Sequence, residues 1–308
     1  MDNLCAVYKI SGKTHIKLAA KAMLKRIVNS LIYRCKKNLC KLIIFPYDLF
    51  QRIFIQIFLV ETIPPVSIRP SYKPILAYCK TGADQIAIFR TILKIHGIHI
   101  ENFLNILDFG CATGRHISHL RQYNLKTKIT GFDVLQKPID WARKNIPFSE
   151  FQCGEDLPPT KFESNYFDFI YAYSVFTHFD EKTHLLWLHE LARILDSGGY
   201  LLVTIAGKKT IEVNKQKNPV LLKSLYNIDD TVQFLQNIPD FYFYTPNKDE
   251  KNHHWGNTLI LSEYVKKHWT REFDFVCYVE DAIRVSSDYS NIQTAPEAAH
   301  DVVLLRKI

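Results

Sequence analysis

The chain has 308 residues, 47% of them hydrophobic and 13% aromatic, enough for one large core with an appendage and too apolar for a disordered chain. Its formal charge of +8 belongs to one end: residues 1–41 hold ten Lys/Arg against Asp2 alone, and the other 267 residues hold 29 against 30 acids. That near-neutral body has no polyanion-binding composition, so nucleic acid is not an expected partner. The seven scattered cysteines, with no CxxC pair and no matching His pair, read as idle or buried thiols in a reducing compartment; neither a zinc site nor any other metal is expected.

From the N-terminus, Lys9, Lys13, Lys17, Lys21 and Lys25 recur every four residues, one basic stripe on a helix. Leu42–Val60 follows, nineteen residues interrupted by Pro46, Asp48, Gln51, Arg52 and Gln56. Asp48, Arg52 and Gln56 share a helical face, which describes an amphipathic helix, neither a transmembrane span nor a signal peptide. Residues 1–60 are therefore expected to form a helical arm. It either lies on an anionic membrane surface from the cytoplasmic side or packs on protein. It lacks the aromatic interleaving of an RNA-stacking surface. Pro64, Pro65, Pro70 and Pro74 mark residues 61–79 as a linker, and 80–308 as the main domain, entered by a helix over Ile86–His96 with Thr81 or Asp84 as a candidate N-cap.

The centre of that domain is Asn105–Arg115, NILDFGCATGR. An apolar run ends in Asp108 and opens a loop of small residues, Gly110, Cys111, Ala112 and Gly114, before a helical spacing at Ile117, Leu120 and Tyr123. Small residues let backbone approach a ligand closely, and a helix N-terminus favours an anion. Lys128–Phe132 is a second apolar stretch that ends in Asp133, an acid suited to ribose hydroxyls. A dinucleotide loop reads G-x-G-x-x-G. Here the spacing is G-x-A-x-G with an acid two residues ahead, which would repel a pyrophosphate and can hold an ammonium.

This pattern resembles the class I S-adenosylmethionine-dependent methyltransferases, over about Lys80 to Ile308 and most strongly over Asn105–Ala206. The resemblance implies an α/β, Rossmann-like doubly wound sheet of seven strands in the order 3-2-1-4-5-7-6, one antiparallel, with S-adenosylmethionine as cofactor. It implies that Asp108 holds the methionine ammonium, that Gly110, Cys111, Ala112 and Gly114 form the floor, and that Arg115 or His116 meets the methionine carboxylate. Asp133 would bind the ribose, Val134 would pack on adenine, and one of Gly154, Glu155 or Asp156 would reach the adenine amino group. Relatives often cover the methionine end with the helix before the first strand, where Gly82 lies.

Downstream, a crossover helix covers Lys137–Asn145, and Glu150–Cys153 is a third strand. Phe167–Tyr173 is a fourth, and a helix over His184–Leu195 meets a turn at Asp196–Gly199 before strand Tyr200–Ala206. Tyr173 leaves strand four where the methyl group would lie, and His178 is the candidate general base, since an imidazole can take a proton near pH 7. Gly207–Thr258 breaks the alternation. It carries a basic loop (Lys208, Lys209, Lys215, Lys217), an aromatic run (Phe241–Tyr244) and His253-His254-Trp255, and it reads as a lid whose last three residues are candidate acceptor contacts. Ser262 would cap a helix to Arg271, and Phe273–Glu280 with Asp301–Arg306 would close the sheet as a hairpin. No Asn-Pro-Pro-Tyr follows strand four, which argues against base methylation. The expected activity is O-methylation of a small or sugar-derived acceptor, lipid-linked if the arm meets a membrane. The rivals are N-methylation of an amino sugar or amine, or a cofactor-binding scaffold without turnover.

Overall fold

The computed structural model describes residues 63–69, 75–121, 123, 126–217, 219–246, 253–282 and 300–308. The expected arm, with its basic stripe and Leu42–Val60, lies outside them. The chain divides into two compact units, 1–67 with 71–78 and 68–70 with 79–308. Described residues of the first are few, a 3-10 turn at Val66–Ile68 and the opening of helix α1 (Ile75–Ile95). That helix begins within the segment read as linker, because Ile75 onward is already apolar at helical spacing; Thr81 and Asp84 lie inside it rather than at its N-cap. It ends in a Schellman motif, Ile98 N donating to Leu93 O and Gly97 N to Lys94 O, both at 3.0 Å.

The second unit is built on β1 (Asn105–Phe109), β2 (Lys128–Asp133), β3 (Glu150–Cys153), β4 (Phe167–Ala172), β5 (Leu195–Ile205), β8 (Phe273–Val279) and β9 (Asp301–Lys307). Their order is β3-β2-β1-β4-β5-β9-β8, and only β9 runs against its neighbours. This is the expected order once the lid strands β6 (Phe241–Tyr244) and β7 (Asn257–Ile260), a separate antiparallel ladder, are set aside. β1 and β4 are buried almost throughout because helices cover both faces. On one face α4 (Glu181–Ile194) and α8 (Ser262–His268) bring Trp187, Leu191, Val265 and the adjoining Trp269 onto Leu107, Phe109 and Val203. On the other, α1 and α3 (Gln136–Asn145) bring Phe89, Ile92, Ile139 and Ala142 onto Ile106, Ile129 and Phe169.

Several boundaries differ from the sequence reading. The Asp196–Gly199 turn lies inside β5. Phe167 pairs with Leu195 and Phe169 already with Tyr200, so the turn bulges out of a continuing strand. Ser262 is the first helical residue, and the cap position falls on Leu261, which makes no side-chain cap bond. The basic stretch read as a loop is helix α5 (Lys208–Lys217), followed by α6 (Pro219–Tyr226) and α7 (Thr231–Gln236). Ile211, Leu222, Tyr226, Ile228 and Leu259 give this insertion a small core, which accounts for helices where Lys spacing alone suggested none.

Candidate functional site

The glycine-lined bend crosses the end of β2. Gly110 N and Cys111 N both donate to Phe132 O, at 2.8 and 3.0 Å. Gly110 has φ +83, and a Cβ there would stand 2.2 Å from Val175 Cγ2, so backbone freedom and close approach both require glycine. Ala112 adopts φ +46, a left-handed conformation that costs an L-residue about 1–2 kcal/mol. The Asp133 carboxylate helps hold it, Oδ2 accepting from Ala112 N at 2.7 Å and Oδ1 from Leu135 N at 2.9 Å. Each oxygen keeps acceptor capacity for a further donor. Burial pushes the Asp133 pKa up against those amide bonds.

Asp108 pairs with Gly131 in the β1–β2 register, which brings both acids to the carboxyl edge of neighbouring strands. It is 1% exposed, and its Oδ2 has no hydrogen-bond partner among the described residues. The Tyr171 hydroxyl is buried beside this carboxylate without closing a well-formed bond to it. Burial raises the Asp108 pKa to about 7; the Asp133 charge adds to the rise, while Tyr171 and the Arg115 guanidinium oppose it. A buried acid without a partner is costly unless something else meets it.

The helix after the bend is one turn, α2 (Ile117–Leu120), with Tyr123 beyond it. So short a helix has little dipole, and positive charge at this end comes from Arg115. Arg115 Nη2 donates to Gln85 Oε1 at 3.0 Å, and His116 Nε2 lies 2.7 Å from the same oxygen. His116 is buried, and burial, with the Arg115 and His119 charges, holds its pKa well below the usual imidazole value. It is therefore a neutral donor to Gln85 rather than a cation. Gln85 escaped the sequence reading: it sits in an apolar helix and matters only through contacts thirty residues away. Gly82, on the same helix, packs on Arg115 and His119, with Cγ of Arg115 2.7 Å from where a Cβ would be.

Toward adenine, Val134 packs beside Phe132 in the first core, Gly154 lies against the Phe132 ring, and Glu155 is exposed. Asp156 is engaged elsewhere, its carbonyl accepting from Trp187 Nε1 and its carboxylate facing His254 Nε2 at 3.2 Å.

The remaining residues named from the sequence gather at the lid's return strand. Residues 254–258 run along 177–180: Asp180 N donates to His254 O, Gly256 N to His178 O and Thr258 N to Thr177 O, at 2.8–3.0 Å. His178 Nδ1 lies 2.9 Å from Gly256 O; facing a carbonyl it must donate, which leaves Nε2 as the basic nitrogen. Trp255 packs on Phe179, with ring centroids 5.0 Å apart, and His253 is exposed. Tyr173 lies between Phe89, His116 and His300. Among the described residues no three His, Cys, Asp or Glu side chains assemble as metal ligands.

A buried carboxylate oxygen without a partner among the described residues, beside a bend with glycine at each end, with a second acid one strand away and an arginine just past the bend, fits a ligand carrying an ammonium, a carboxylate and a nucleoside. On a 3-2-1-4-5-7-6 sheet this arrangement agrees with the cleft expected from the resemblance to the class I S-adenosylmethionine-dependent methyltransferases. Residues 107–203, from within β1 to within β5, match the family model described as a methyltransferase domain, so the chain carries such a domain. Similar solved structures include a SAM-dependent methyltransferase from Methanosarcina mazei, 18% identical, with TM-score 0.48, over 70% of this chain and 97% of that one. The N-methyltransferase NodS from Bradyrhizobium japonicum, solved with S-adenosyl-L-homocysteine, is 14% identical, with TM-score 0.45, over 77% and 93%. The plantazolicin methyltransferase BpumL, also with that product, is 15% identical, with TM-score 0.47, over 75% and 85%.

Proposed function

We propose that the chain O-methylates a small or sugar-derived acceptor, using a cofactor held between Asp108 and Asp133. The observation that carries the cofactor half of this reading is the Oδ2 of buried Asp108, which has no hydrogen-bond partner among the described residues. S-adenosylmethionine supplies an electrophilic methyl group on a sulfonium. Asp108 takes the ammonium of its amino-acid end and Arg115 the carboxylate. Asp133 turns its free lone pairs to the ribose hydroxyls, and Val134 and Gly154 flank the adenine. The narrow bend at Gly110 and Gly114 lets the backbone come within contact distance. Positioning of this kind can lower a displacement barrier by about 7–11 kcal/mol, more than one proton-transfer group supplies.

On the acceptor side, Tyr173 lies at the end of β4, and His178 is the base for a hydroxyl. Its Nδ1–H bond to Gly256 O is the arrangement that leaves Nε2 ready to accept a proton. A second reading, N-methylation, draws support from the same bond: it gives His178 a structural use that needs no catalytic one, and a neutral amine attacks without a base. His253, at the exposed start of the return strand, is a candidate contact for the acceptor. The near-neutral body argues for an uncharged or small acceptor. The basic arm argues for one presented at an anionic membrane, and removing residues 1–60 should then release the protein from anionic vesicles without changing cofactor affinity.

The test is methyl transfer from labelled cofactor to panels of hydroxylated and aminated acceptors, with products identified by mass spectrometry, for wild type and His178→Ala. O-methylated product, cut about a hundredfold or more by the substitution, supports the hydroxyl reading. N-methylated product with an unimpaired variant supports the amine, and cofactor binding without product from any panel supports a scaffold.

A further inference from the structure

We infer that Gln85, on the helix before the first strand, is a positioning residue for the amino-acid end of the cofactor, acting through Arg115, His116 and Tyr173. This rests on the cofactor site proposed above. Gln85 is 7% exposed, and its Oε1 accepts from Arg115 Nη2 at 3.0 Å and from His116 Nε2 at 2.7 Å. An oxygen between two donors fixes the amide orientation, so the NH2 group points the other way, toward the Tyr173 hydroxyl. One side chain thus touches the first two residues beyond the glycine-lined bend and the residue that leaves β4.

Each of these contacts removes a freedom the site cannot keep. An arginine side chain has several rotatable bonds, and a carboxylate bound to its guanidinium gains most when the fork is already oriented. Gly82, one turn before Gln85, holds the stem of the same arginine, since a Cβ there would overlap Arg115 Cγ. His116 packs edge-on to Tyr171 and Tyr173. Its neutral Nε2–H tautomer is the one Gln85 selects, so His116 is not a second cation beside Arg115. Tyr171 in turn is buried beside Asp108, so the cluster reaches from the helix to the acid expected to take the ammonium. The helix Ile75–Ile95 therefore does more than cover the sheet: through one amide it sets the geometry of the charged end of the cleft.

The test compares two ligands on the full chain. S-adenosylhomocysteine carries the amino-acid end; 5′-methylthioadenosine has the same nucleoside and thioether without it. Gln85→Met keeps the length of the side chain and removes its hydrogen bonds. It is expected to weaken S-adenosylhomocysteine about tenfold and to leave methylthioadenosine within about twofold. Gln85→Glu, which sets a carboxylate against the guanidinium, should weaken the first ligand further by competing for Arg115. Equal losses for both ligands would make Gln85 merely structural, and no loss for either would remove it from the site; both overturn the inference. A wild-type protein that bound neither ligand would instead overturn the cofactor reading beneath it.

Discussion

The two ends of the sheet's carboxyl edge treat their polar groups in opposite ways. Around β1 and β2, Asp108 is buried with an oxygen that has no hydrogen-bond partner among the described residues, and Ala112 is held at positive φ. Around the lid's return strand the polar groups are matched internally: His178 to Gly256, His254 to Asp156, Thr258 to Phe179 and Thr177. A fold that leaves one group unmet where it could have been paired keeps that group for a ligand. A fold that pairs every group has used them to hold the lid. On the reading proposed above, the β1–β2 end serves the cofactor, and the return strand serves first as a strap.

If that contrast is right, substitutions at the two ends should separate affinity from stability. Asp108→Asn is expected to cost at least about a hundredfold in cofactor affinity, the scale for a buried charge pair losing one partner. Its melting temperature should stay level or rise, because a buried acid has been neutralised. An unfolded or strongly destabilised variant would erase the contrast.

The next effect is on pH. Asp108 carries a pKa of about 7 before the ligand arrives, raised chiefly by burial. An ammonium needs the carboxylate, so a proton competes with the ligand. Affinity should fall about tenfold for each pH unit below about 7 and level off above it. Titrations from pH 5.5 to 8.5 read this directly, and Asp108→Asn should flatten the profile.

At the strap the expectation reverses. His254→Ala removes a partly exposed contact and should lower stability by about 1 kcal/mol, read as a small drop in melting temperature, while cofactor affinity stays within about twofold. A large affinity loss with unchanged stability would move His254 from the strap to the site.

The smallest effect is at Ala112→Gly. Relief of the left-handed strain and the greater freedom of unfolded glycine nearly cancel, leaving about 0.5 kcal/mol of stabilisation. A clear destabilisation by chemical denaturation would show that Ala112 bears no strain.

The same contrast explains what could be read without coordinates. The proposed cofactor end can be read from the sequence because its residues are local. Asp108, Gly110 and Gly114 stand within seven residues, and Asp133 falls at the end of the next apolar run. Strand order came from the family resemblance that this local pattern carries, and β9's place beside β8 from the terminal hairpin. Gln85 was not legible, since its partners Arg115 and His116 lie thirty residues on and an isolated Gln in an apolar helix carries no signal. The strap was not legible either: Gly256 meets His178 across seventy-eight residues, and a histidine pair before a tryptophan looks the same whether it holds a lid or greets a substrate. The Lys208–Lys217 helix was missed because its stability comes from Ile211 packing with Leu222 and Leu259, not from its own sequence.

The most direct test is calorimetric titration of the full chain with S-adenosylmethionine and, separately, with NAD at pH 8. One saturable site for S-adenosylmethionine and no heat with NAD is the expected result. Silence with S-adenosylmethionine, or binding of NAD to the same cleft, would contradict the assignment of the paired acids.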